Sequence, residues 1–360
     1  MEQYDELIRG NHTWIGKVSS TLLEIPAKLS NYDCRNNRLL IKAFQQISDE
    51  VEHLKSLYGK HRIGVIIGTS TSGIKTGEAA FKHYIHDDHY PSSFHYLQQE
   101  IGSGAEFLAQ YADVVGSCYT ISTACSSSGK AIAVAERLIQ SNMCDAVIVG
   151  GSDSLCQLTL DGFNSLDLLS PEICKPFSVN RSGINIGEGS ALFLLSKEPS
   201  PIQLLGTGES SDGYHITAPD PKGTGAKIAI NKALGSANIN ANEIGYINLH
   251  GTGSEQNDKM ESQVIHEIFG ENTLCSSTKP LIGHTLGASG ALELGFCWLL
   301  LSEKYNKNKI IPPHIWDKSP DPGLPKINLI SELTKWEKSI FMSNSFAFGG
   351  SNISLIIKTK

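Results

Sequence analysis

Short apolar runs alternate with stretches whose apolar residues recur at helical spacing along most of the chain. Residues 63–68 (Ile-Gly-Val-Ile-Ile-Gly) and 145–150 (Asp-Ala-Val-Ile-Val-Gly) are continuous apolar runs, which is typical of strands buried on both faces. The stretches between such runs carry the 3.6-residue period of an amphipathic helix. This alternation predicts an α/β protein with packed layers of helix and sheet.

The pattern also repeats within the chain. Three landmarks of the first half recur in the same order in the second: residues 63–70 resemble 244–252, the segment from 114 through 139 resembles that from 274 into the helix after 284, and residues 187–195 resemble 349–357. We therefore predict two similar halves, residues 1–199 and 200–360, joined at a Pro-containing linker near residues 197–201. Chemistry contributed by both halves would meet where they join.

Cys125 lies at the junction of a predicted strand and a predicted helix. The run 114–121 is rich in strand formers, and Ala131, Ile132, Ala135, Leu138 and Ile139 mark one helical face after it. A helix start offers unpaired N–H groups and the positive end of the helix dipole, which favour thiolate over thiol. The pattern predicts a nucleophile, with a buried structural cysteine as the alternative.

Three further residues suit acyl chemistry. His250 ends a short apolar strand before a glycine-rich turn, and Lys279 and His284 share a segment crowded with small residues. One thiol, two imidazoles and an ammonium at the ends of strands or loops favour nucleophilic catalysis over packing.

Composition narrows the class of protein. The 360 residues are 40% hydrophobic and 19% charged, with a net charge of −7, which disfavours general nucleic-acid binding. The sequence predicts no membrane span and no signal peptide at its acidic start. Eight cysteines without CxxC spacing predict neither a zinc site nor a disulfide framework, so we expect a cytoplasmic protein.

His83, His86, His89 and His95 lack the spacing of a metal site, and we expect a surface loop there. Residues 127–130 do not form a phosphate-binding loop.

Four motifs together resemble the β-ketoacyl-acyl-carrier-protein synthases of the thiolase-like superfamily. They are Thr123–Ser127, Asn248–Thr252, Lys279–Gly287 and Ser343–Asn352, in the family's order. The resemblance implies a duplicated αβαβα five-layer fold and a dimer in which the strand before Cys125 pairs across the interface. The short N-terminal region and residues 33–37 look closest to ketosynthases of bacterial aryl-polyene clusters.

The resemblance also implies roles for particular residues. An acyl group would be carried on Cys125, with the N–H groups of Cys125 and Phe348 as oxyanion donors and Phe348 as a gate. Decarboxylative Claisen condensation with malonyl-acyl-carrier protein would use His250 and His284, with Lys279 acting through a carboxylate such as Glu261. The remaining assignments are Asp258 as a supporting carboxylate and Thr252, Ser254 and Thr217 as contacts to pantetheine. The reaction, that of a 3-oxoacyl-[acyl-carrier-protein] synthase in fatty acid, polyketide or aryl-polyene synthesis, needs no metal or cofactor. Its substrates arrive on the phosphopantetheine of an acyl carrier protein.

The same motifs are compatible with other functional classes. A non-catalytic partner of the chain-length-factor kind, paired with another ketosynthase, is the main alternative, although such partners typically lack the nucleophile. A thiolase would want a second cysteine near residues 344–350, where there is none. A thiol hydrolase would make poorer use of the Lys279–His284 loop. Whether the dimer contains one kind of chain or two is left open.

The N-terminus departs from the family pattern. Residues 4–9 resemble the helix that follows the family's opening strand, so that inner strand has no counterpart in the sequence. Loss of an inner strand would remove ladder hydrogen bonds and expose core, so either the true start lies upstream or another segment fills the gap. We expect the chain to be less stable than one with that strand restored.

Overall fold

The computed structural model describes residues 1–359. Its strands are β1 (Glu2–Tyr4), β2 (Thr13–Gly16), β3 (Ile63–Gly68), β4 (Cys118–Ile121), β5 (Ala146–Asp153), β6 (Ile186–Gly187), β7 (Gly189–Ser196), β8 (Ile202–Ser211), β9 (Tyr246–Asn248), β10 (Leu274–Ser276), β11 (Ile310–Ile311), β12 (Asn328–Leu329), β13 (Thr334–Lys335), β14 (Ile340–Phe346) and β15 (Ser351–Thr359).

The α-helices are α1 (Arg35–Phe44), α2 (Ser48–Tyr58), α3 (Ile74–Asp87), α4 (Ser103–Ala112), α5 (Ser127–Gln140), α6 (Gln157–Ser165), α7 (Thr224–Ala237), α8 (Glu255–Phe269), α9 (Lys279–Ile282) and α10 (Ser289–Leu301). Short 3₁₀ turns lie at Ala27–Tyr32, Lys60–Arg62, Tyr96–Gln98, Ala241–Glu243, Leu286–Ala288 and Phe348–Gly350.

Two mixed sheets repeat one topology. The first has the order β4-β3-β5-β7 and the second contains β10-β9-β14-β15 in the same arrangement. In each, three strands are parallel and the last is antiparallel to its neighbour. The first sheet uses strands before residue 197 and the second uses strands from residue 202 onward. The repeated landmarks in the sequence therefore correspond to structurally equivalent strands.

The second sheet has two additional strands. Strand β8 pairs antiparallel with β15, and β12 extends the other edge beside β10. Within residues 1–359, no strand covers the corresponding outer edge of β7, most of whose residues are only half-buried. In the second sheet the equivalent edge, that of β15, is covered by β8.

Helices α5 and α10 form the middle of the five layers. They pack between the two sheets, while α1 and α4 cover the first sheet and α7 and α8 lie on the side of the second. Helix α10 is apolar on almost all sides because it is enclosed in this way. The two central helices approach so closely that a Cβ on Gly290 would lie 2.8 Å from the backbone nitrogen of Gly129. Only glycine fits at this crossing.

The predicted elements agree with the structure along most of the chain. The strands expected at 63–68 and 145–150 are β3 and β5, whose residues are all buried. The α/β layered fold predicted from the alternation is confirmed. The prediction for residues 4–9 is wrong: β1 ends at Tyr4, and a turn closed by the Gly10 N–H and the Leu7 carbonyl follows. Because β1 pairs with β2 and β2 with β6, this segment is held by strand pairing.

The helix crossing makes a testable prediction. Gly290→Ala should lower the free energy of unfolding by about 1–3 kcal/mol, because the new methyl group meets backbone that cannot rotate away. Gly235→Ala is the matched control, since Gly235 also lies in a helix but has open space around its Cβ position. That control should be neutral or stabilising by about 0.4–1 kcal/mol. Urea unfolding of both variants checks this, and equal stabilities would show that the helices can separate at no cost.

Candidate active site

Cys125 lies in a strained turn immediately before α5. Its neighbour Ala124 has a φ of 52°, in the left-handed region that alanine rarely adopts. The Ala124 carbonyl accepts hydrogen bonds from Ser127 Oγ at 2.6 Å and Ser70 Oγ at 3.1 Å. These bonds hold the turn that lifts the Cys125 sulfur out of the sheet and into the space between the two halves.

A buried carboxylate supports this turn from below. Asp153, at the end of β5, accepts hydrogen bonds from the backbone N–H groups of Ser70 at 2.9 Å and Thr71 at 2.8 Å. Burial raises the pKa of the Asp153 carboxyl, although the donors around it act in the opposite direction. Asp153 therefore fixes Ser70, and Ser70 fixes the carbonyl next to the nucleophile.

The second half contributes two imidazoles. His250 follows β9, and His284 follows α9. His284 Nε2 lies 2.9 Å from Cys125 Sγ, and the ring centroids of His250 and His284 are 5.3 Å apart in an edge-to-face arrangement. Both side chains are almost completely buried. Burial, with a smaller effect of the Lys279 ammonium, lowers the pKa of each imidazole well below its ordinary value, so both are neutral at pH 7.

The protonation state expected for Cys125 is wrong. The sequence predicted a field that favours the thiolate, but burial raises the pKa of the Cys125 thiol to about 11. Lys279 and the backbone N–H groups of Phe348 and Cys125 lower this pKa, but by less than burial raises it. At pH 7 the resting sulfur is thus a thiol beside a neutral imidazole, and His284 is placed to receive its proton.

Lys279 is buried behind the two histidines and has a different partner from the one expected. Its ammonium donates to the His250 carbonyl oxygen and forms an ion pair with Glu293 of α10. The sequence named Glu261 as the partner carboxylate, which is wrong for the direct contact. Glu293 was missed because it lies in the apolar helix α10, where its isolation among apolar residues was the only signal.

Glu261 and Asp258 hold the loop that carries His250. Glu261 accepts the backbone N–H groups of His250 and Gly251, each at 2.7 Å. Asp258 accepts those of Phe177 at 2.8 Å and Gly253 at 3.2 Å. Burial raises the pKa of Glu261 to about 8 and of Asp258 to about 6. Neither is the exposed helix-face carboxylate that was the alternative; both are buried supports.

A cavity of about 450 Å³ leads from the surface to these groups. Its lining includes the predicted reactive side chains, the predicted gate and all three residues predicted to contact the substrate arm: Cys125, His250, His284, Phe348, Thr217, Thr252 and Ser254. Lys279 is not in this lining and contacts the site through the His250 carbonyl. The hydroxyls of Thr252 and Ser254 lie 3.0 Å apart on one wall, where they can hydrogen-bond to amides.

Phe348 stands at the start of a turn whose next two residues are glycines. Gly349 and Gly350 have φ values of 74° and 73°, and the Gly349 N–H donates to the Ile216 carbonyl. The Phe348 ring packs on Phe163, with centroids 5.6 Å apart, and the Phe348 backbone N–H is among the groups that lower the pKa of the Cys125 thiol. The turn thus joins the sulfur, the cavity wall and the loop that carries Thr217.

His314 was not predicted from the sequence and lies outside the cavity lining. It accepts the Ser277 N–H at Nδ1, 3.2 Å away, and its Nε2 lies 3.0 Å from the Pro176 carbonyl. Ser277 in turn donates to the Gly251 carbonyl and accepts from the Lys279 N–H. Burial lowers the pKa of His314 to about 4, which keeps it neutral and able to accept. Its sequence context of prolines gave no signal of this role.

Other residues singled out in the sequence lie elsewhere. The surface loop expected for the histidines is wrong for His83 and His86, which lie on helix α3; His83 is half-buried, and its ring centroid is 5.0 Å from that of exposed His89 in the loop after α3. Within residues 1–359, the one group of side chains at metal-ligand spacing is Cys125, His250 and His284. All eight cysteines are free. No helix in the described part of the chain has the length and apolar character to cross a bilayer.

Known proteins are similar to this chain in sequence. The model of the β-ketoacyl synthase N-terminal domain matches residues 25–200, and that of the C-terminal domain matches residues 202–315. Nodulation protein E of Rhizobium meliloti is 30% identical over 310 residues, covering 82% of this chain and 75% of that protein. The 3-oxoacyl-[acyl-carrier-protein] synthase 2 of Staphylococcus aureus is 31% identical over 317 residues, covering 82% and 77%.

Solved structures give the same result. A chain of the ketosynthase (ApeO) in complex with its chain length factor (ApeC) from Xenorhabdus doucetiae is 48% identical, with a TM-score of 0.96. That match covers 100% of this chain and 90% of the other. The duplicated thiolase-like fold expected from the four motifs is thereby confirmed.

The buried thiol predicts a particular pH dependence. With the pKa of Cys125 near 11, the thiolate fraction and the rate of alkylation by iodoacetamide should rise about tenfold per pH unit from pH 7 to 10. Mass spectrometry of the peptide that contains Cys125 gives the rate. A plateau below pH 8 would instead indicate a stable thiolate–imidazolium pair and contradict the assignment.

The buried ion pair predicts a large effect on stability. Glu293→Gln leaves the Lys279 ammonium without its counter-charge, which should cost about 3–5 kcal/mol of unfolding free energy. Glu267→Gln is the matched control, because Glu267 forms a 2.7 Å ion pair with Lys227 at the surface. That change should cost at most about 1 kcal/mol. Denaturant unfolding compares them, and equal costs would show that Glu293 does not neutralise Lys279.

Proposed function

This chain belongs to the β-ketoacyl synthase family, and we propose that it is an active condensing enzyme. Membership in this family, with 3-oxoacyl-[acyl-carrier-protein] synthases among the relatives, supports an acyltransferase-type enzyme. The finer assignment is decarboxylative Claisen condensation of malonyl-acyl-carrier protein with an acyl group on Cys125. The observation that carries it is the 2.9 Å contact between Cys125 Sγ and His284 Nε2 at the end of a cavity open to an extended substrate arm.

The first half-reaction loads the acyl group. The Cys125 sulfur attacks the thioester carbonyl as His284 Nε2 receives the thiol proton. Because the raised pKa keeps the resting sulfur protonated, this proton transfer is needed to make it nucleophilic. The N–H groups of Phe348 and Cys125, which both lower the pKa of the thiol, are the donors that we assign to the oxyanion. The carbon–sulfur bond to pantetheine then breaks, its thiolate takes the proton from His284, and the acyl group remains on Cys125.

The second half-reaction forms the carbon–carbon bond. Malonyl-acyl-carrier protein loses carbon dioxide, and the electron pair of the broken bond forms an enolate. His250 and His284 are neutral, and each imidazole then has one N–H that can donate a hydrogen bond to the enolate oxygen. The enolate carbon attacks the acyl-Cys125 carbonyl. The Cys125 thiolate leaves and takes up one proton from solvent, which restores the thiol, and the β-ketoacyl product stays on the carrier protein.

The surrounding residues position these groups. Lys279 fixes the His250 loop through its carbonyl while Glu293 balances the ammonium charge. Glu261 and Asp258 hold the backbone on either side of His250. Thr217, Thr252 and Ser254 line the path that we assign to the pantetheine arm, and an acyl carrier protein is the partner that delivers it. With its eight free thiols, the chain suits a reducing cytoplasm.

A non-catalytic partner role is the second candidate. The neighbours include a ketosynthase with its chain length factor and the ishigamide ketosynthase/chain length factor, so pairing with a related subunit is also a reasonable proposal here. Edge strand β4 supports either kind of dimer, because Tyr119 on it is 42% exposed. The complete set of Cys125, His250, His284 and Lys279 favours the catalytic role.

Acyl loading distinguishes the two roles. The purified chain is incubated with a panel of acyl-carrier proteins charged with acyl groups of different length and unsaturation, and its intact mass is measured. A condensing enzyme gains one acyl group at Cys125 and releases it on addition of malonyl-acyl-carrier protein, with carbon dioxide as a product. A chain that remains unmodified with every carrier, alone and with a partner subunit, would contradict the proposal.

Variants separate the two half-reactions. Cys125→Ala should reduce condensation by about 10³-fold or more but retain malonyl decarboxylation, because the donors for the enolate remain. His250→Ala should retain acyl loading and lose decarboxylation. Cys118→Ala is the control, since Cys118 lies on β4 outside the cavity lining. Acyl transfer that survives in Cys125→Ala would disprove the nucleophile assignment.

A further inference from the structure

The three reactive side chains also form a compact set of metal-binding atoms. Cys125 Sγ and one ring nitrogen from each of His250 and His284 all lie within 4.8 Å of one another. Condensation uses these groups for separate tasks, but they surround one point at the inner end of the cavity.

One thiolate and two imidazoles match the preferences of zinc. Zn²⁺ binds cysteine sulfur at about 2.3 Å and histidine nitrogen at about 2.0–2.1 Å, so neighbouring ligand atoms around it lie roughly 3.5 Å apart. The observed atoms bracket that value: Cys125 Sγ and His284 Nε2 are 2.9 Å apart, and the set spans no more than 4.8 Å. Small movements suffice to bind the ion. Magnesium and calcium prefer oxygen ligands and do not suit this set.

In the described part of the chain, no hydrogen bond at Nδ1 holds either ring in its present orientation. Nδ1 of His250 and Nδ1 of His284 are buried and have no hydrogen-bond partner within residues 1–359. A slight tilt of either ring therefore breaks no hydrogen bond at that nitrogen. The cavity leaves space for a water molecule as the fourth ligand, as in zinc sites with three protein ligands.

The local charges permit a cation. The Lys279 ammonium lies close to the site and opposes a second positive charge, but Glu293 is in contact with it. The Glu261 carboxyl lies behind His250 and accepts its N–H. The Lys279–Glu293 pair is therefore neutral overall, and the negative charge that attracts the ion is that of the Cys125 thiolate formed on binding.

We propose that Cys125, His250 and His284 bind a zinc(II) ion and that bound zinc inhibits the enzyme by occupying its nucleophile. On binding, the Cys125 S–H bond breaks, the Zn–S bond forms and the proton passes to solvent, so no oxidant or reductant takes part. Zinc binding does not depend on the proposed condensation activity, whereas inhibition rests on it.

Alkylation of the unmodified chain tests the binding directly. The protein is stripped with a chelator, titrated with zinc chloride and treated with iodoacetamide, and the peptides that contain Cys125 and Cys118 are quantified by mass spectrometry. Stoichiometric zinc should slow alkylation of Cys125 at least about tenfold and leave Cys118 unchanged. Magnesium should protect neither. Unchanged alkylation of Cys125 with excess zinc would overturn the inference.

Variants locate the ion. Competition with a chromophoric chelator should give one tight site per chain, weakened about 10–100-fold or more by Cys125→Ser, His250→Ala or His284→Ala. Cys118→Ser and His89→Ala are controls for a thiol and an imidazole outside the set, and both should bind zinc as the unmodified chain does. Circular dichroism verifies folding; if a histidine variant is unfolded, Cys125→Ser and the alkylation result decide. Full affinity in Cys125→Ser, or its loss in His89→Ala, would overturn the assignment.

The zinc site and the proposed function can fail separately. Zinc that protects Cys125 in a chain without condensation activity supports the site and contradicts the function. Condensation that continues unchanged at zinc concentrations far above stoichiometric contradicts the site and supports the function. Removal of zinc by chelator should restore activity, because coordination is reversible.

Discussion

The close contact between α5 and α10 is the constraint on which the site depends. The Ala291 N–H of α10 donates to Ser128 Oγ of α5 at 2.9 Å, and Gly129 and Gly290 allow the backbones to touch. Cys125 precedes α5 closely, and His284 precedes α10 by a short 3₁₀ turn. Because the two helix starts are held together, a sulfur from the first half and an imidazole from the second meet at 2.9 Å. Duplication supplied two similar helices, and their packing makes one reaction centre.

Burial determines the protonation states at this centre. The thiol and both imidazoles are neutral because ionisation in a water-poor site is costly. The Lys279 ammonium is instead accommodated by Glu293 and the His250 carbonyl. Charge that develops during acyl transfer thus meets preoriented donors with little water to compete. The neutral imidazoles can also bind a metal ion, whereas the thiol must first release its proton.

Much of the fold and several residues of the site could be predicted from the sequence, for physical reasons. Strands such as β3 and β5 are buried on both faces, so their apolar runs are unambiguous, and the duplicated order of motifs predicted the two equivalent sheets. Chemical type and local context identified Cys125, His250 and His284. The protonation of Cys125 was not accessible, because burial depends on all the elements around it, whereas the helix-start argument considers only one.

The sequence also did not predict which residues from distant segments would contact one another. Lys279 pairs with Glu293, fourteen residues on, and Asp153 holds a turn more than eighty residues away in sequence. His314 joins two loops from a proline-rich segment. Each of these contacts forms only after the sheets and helices are packed, and no local pattern encodes them. The prediction for the N-terminal residues was wrong for the same reason, because β1 forms by pairing with β2.

A cross-link between the halves tests the central claim most directly. 1,3-Dibromoacetone, which joins a cysteine to a nearby histidine through a three-carbon bridge, is added to the folded chain, and the digested product is analysed by mass spectrometry. The structure predicts one dominant bridge, between Cys125 and His284 or its neighbour His250. A Cys125 peptide that carries only a single-ended adduct, with neither histidine attached, would show that the two halves do not bring these groups together.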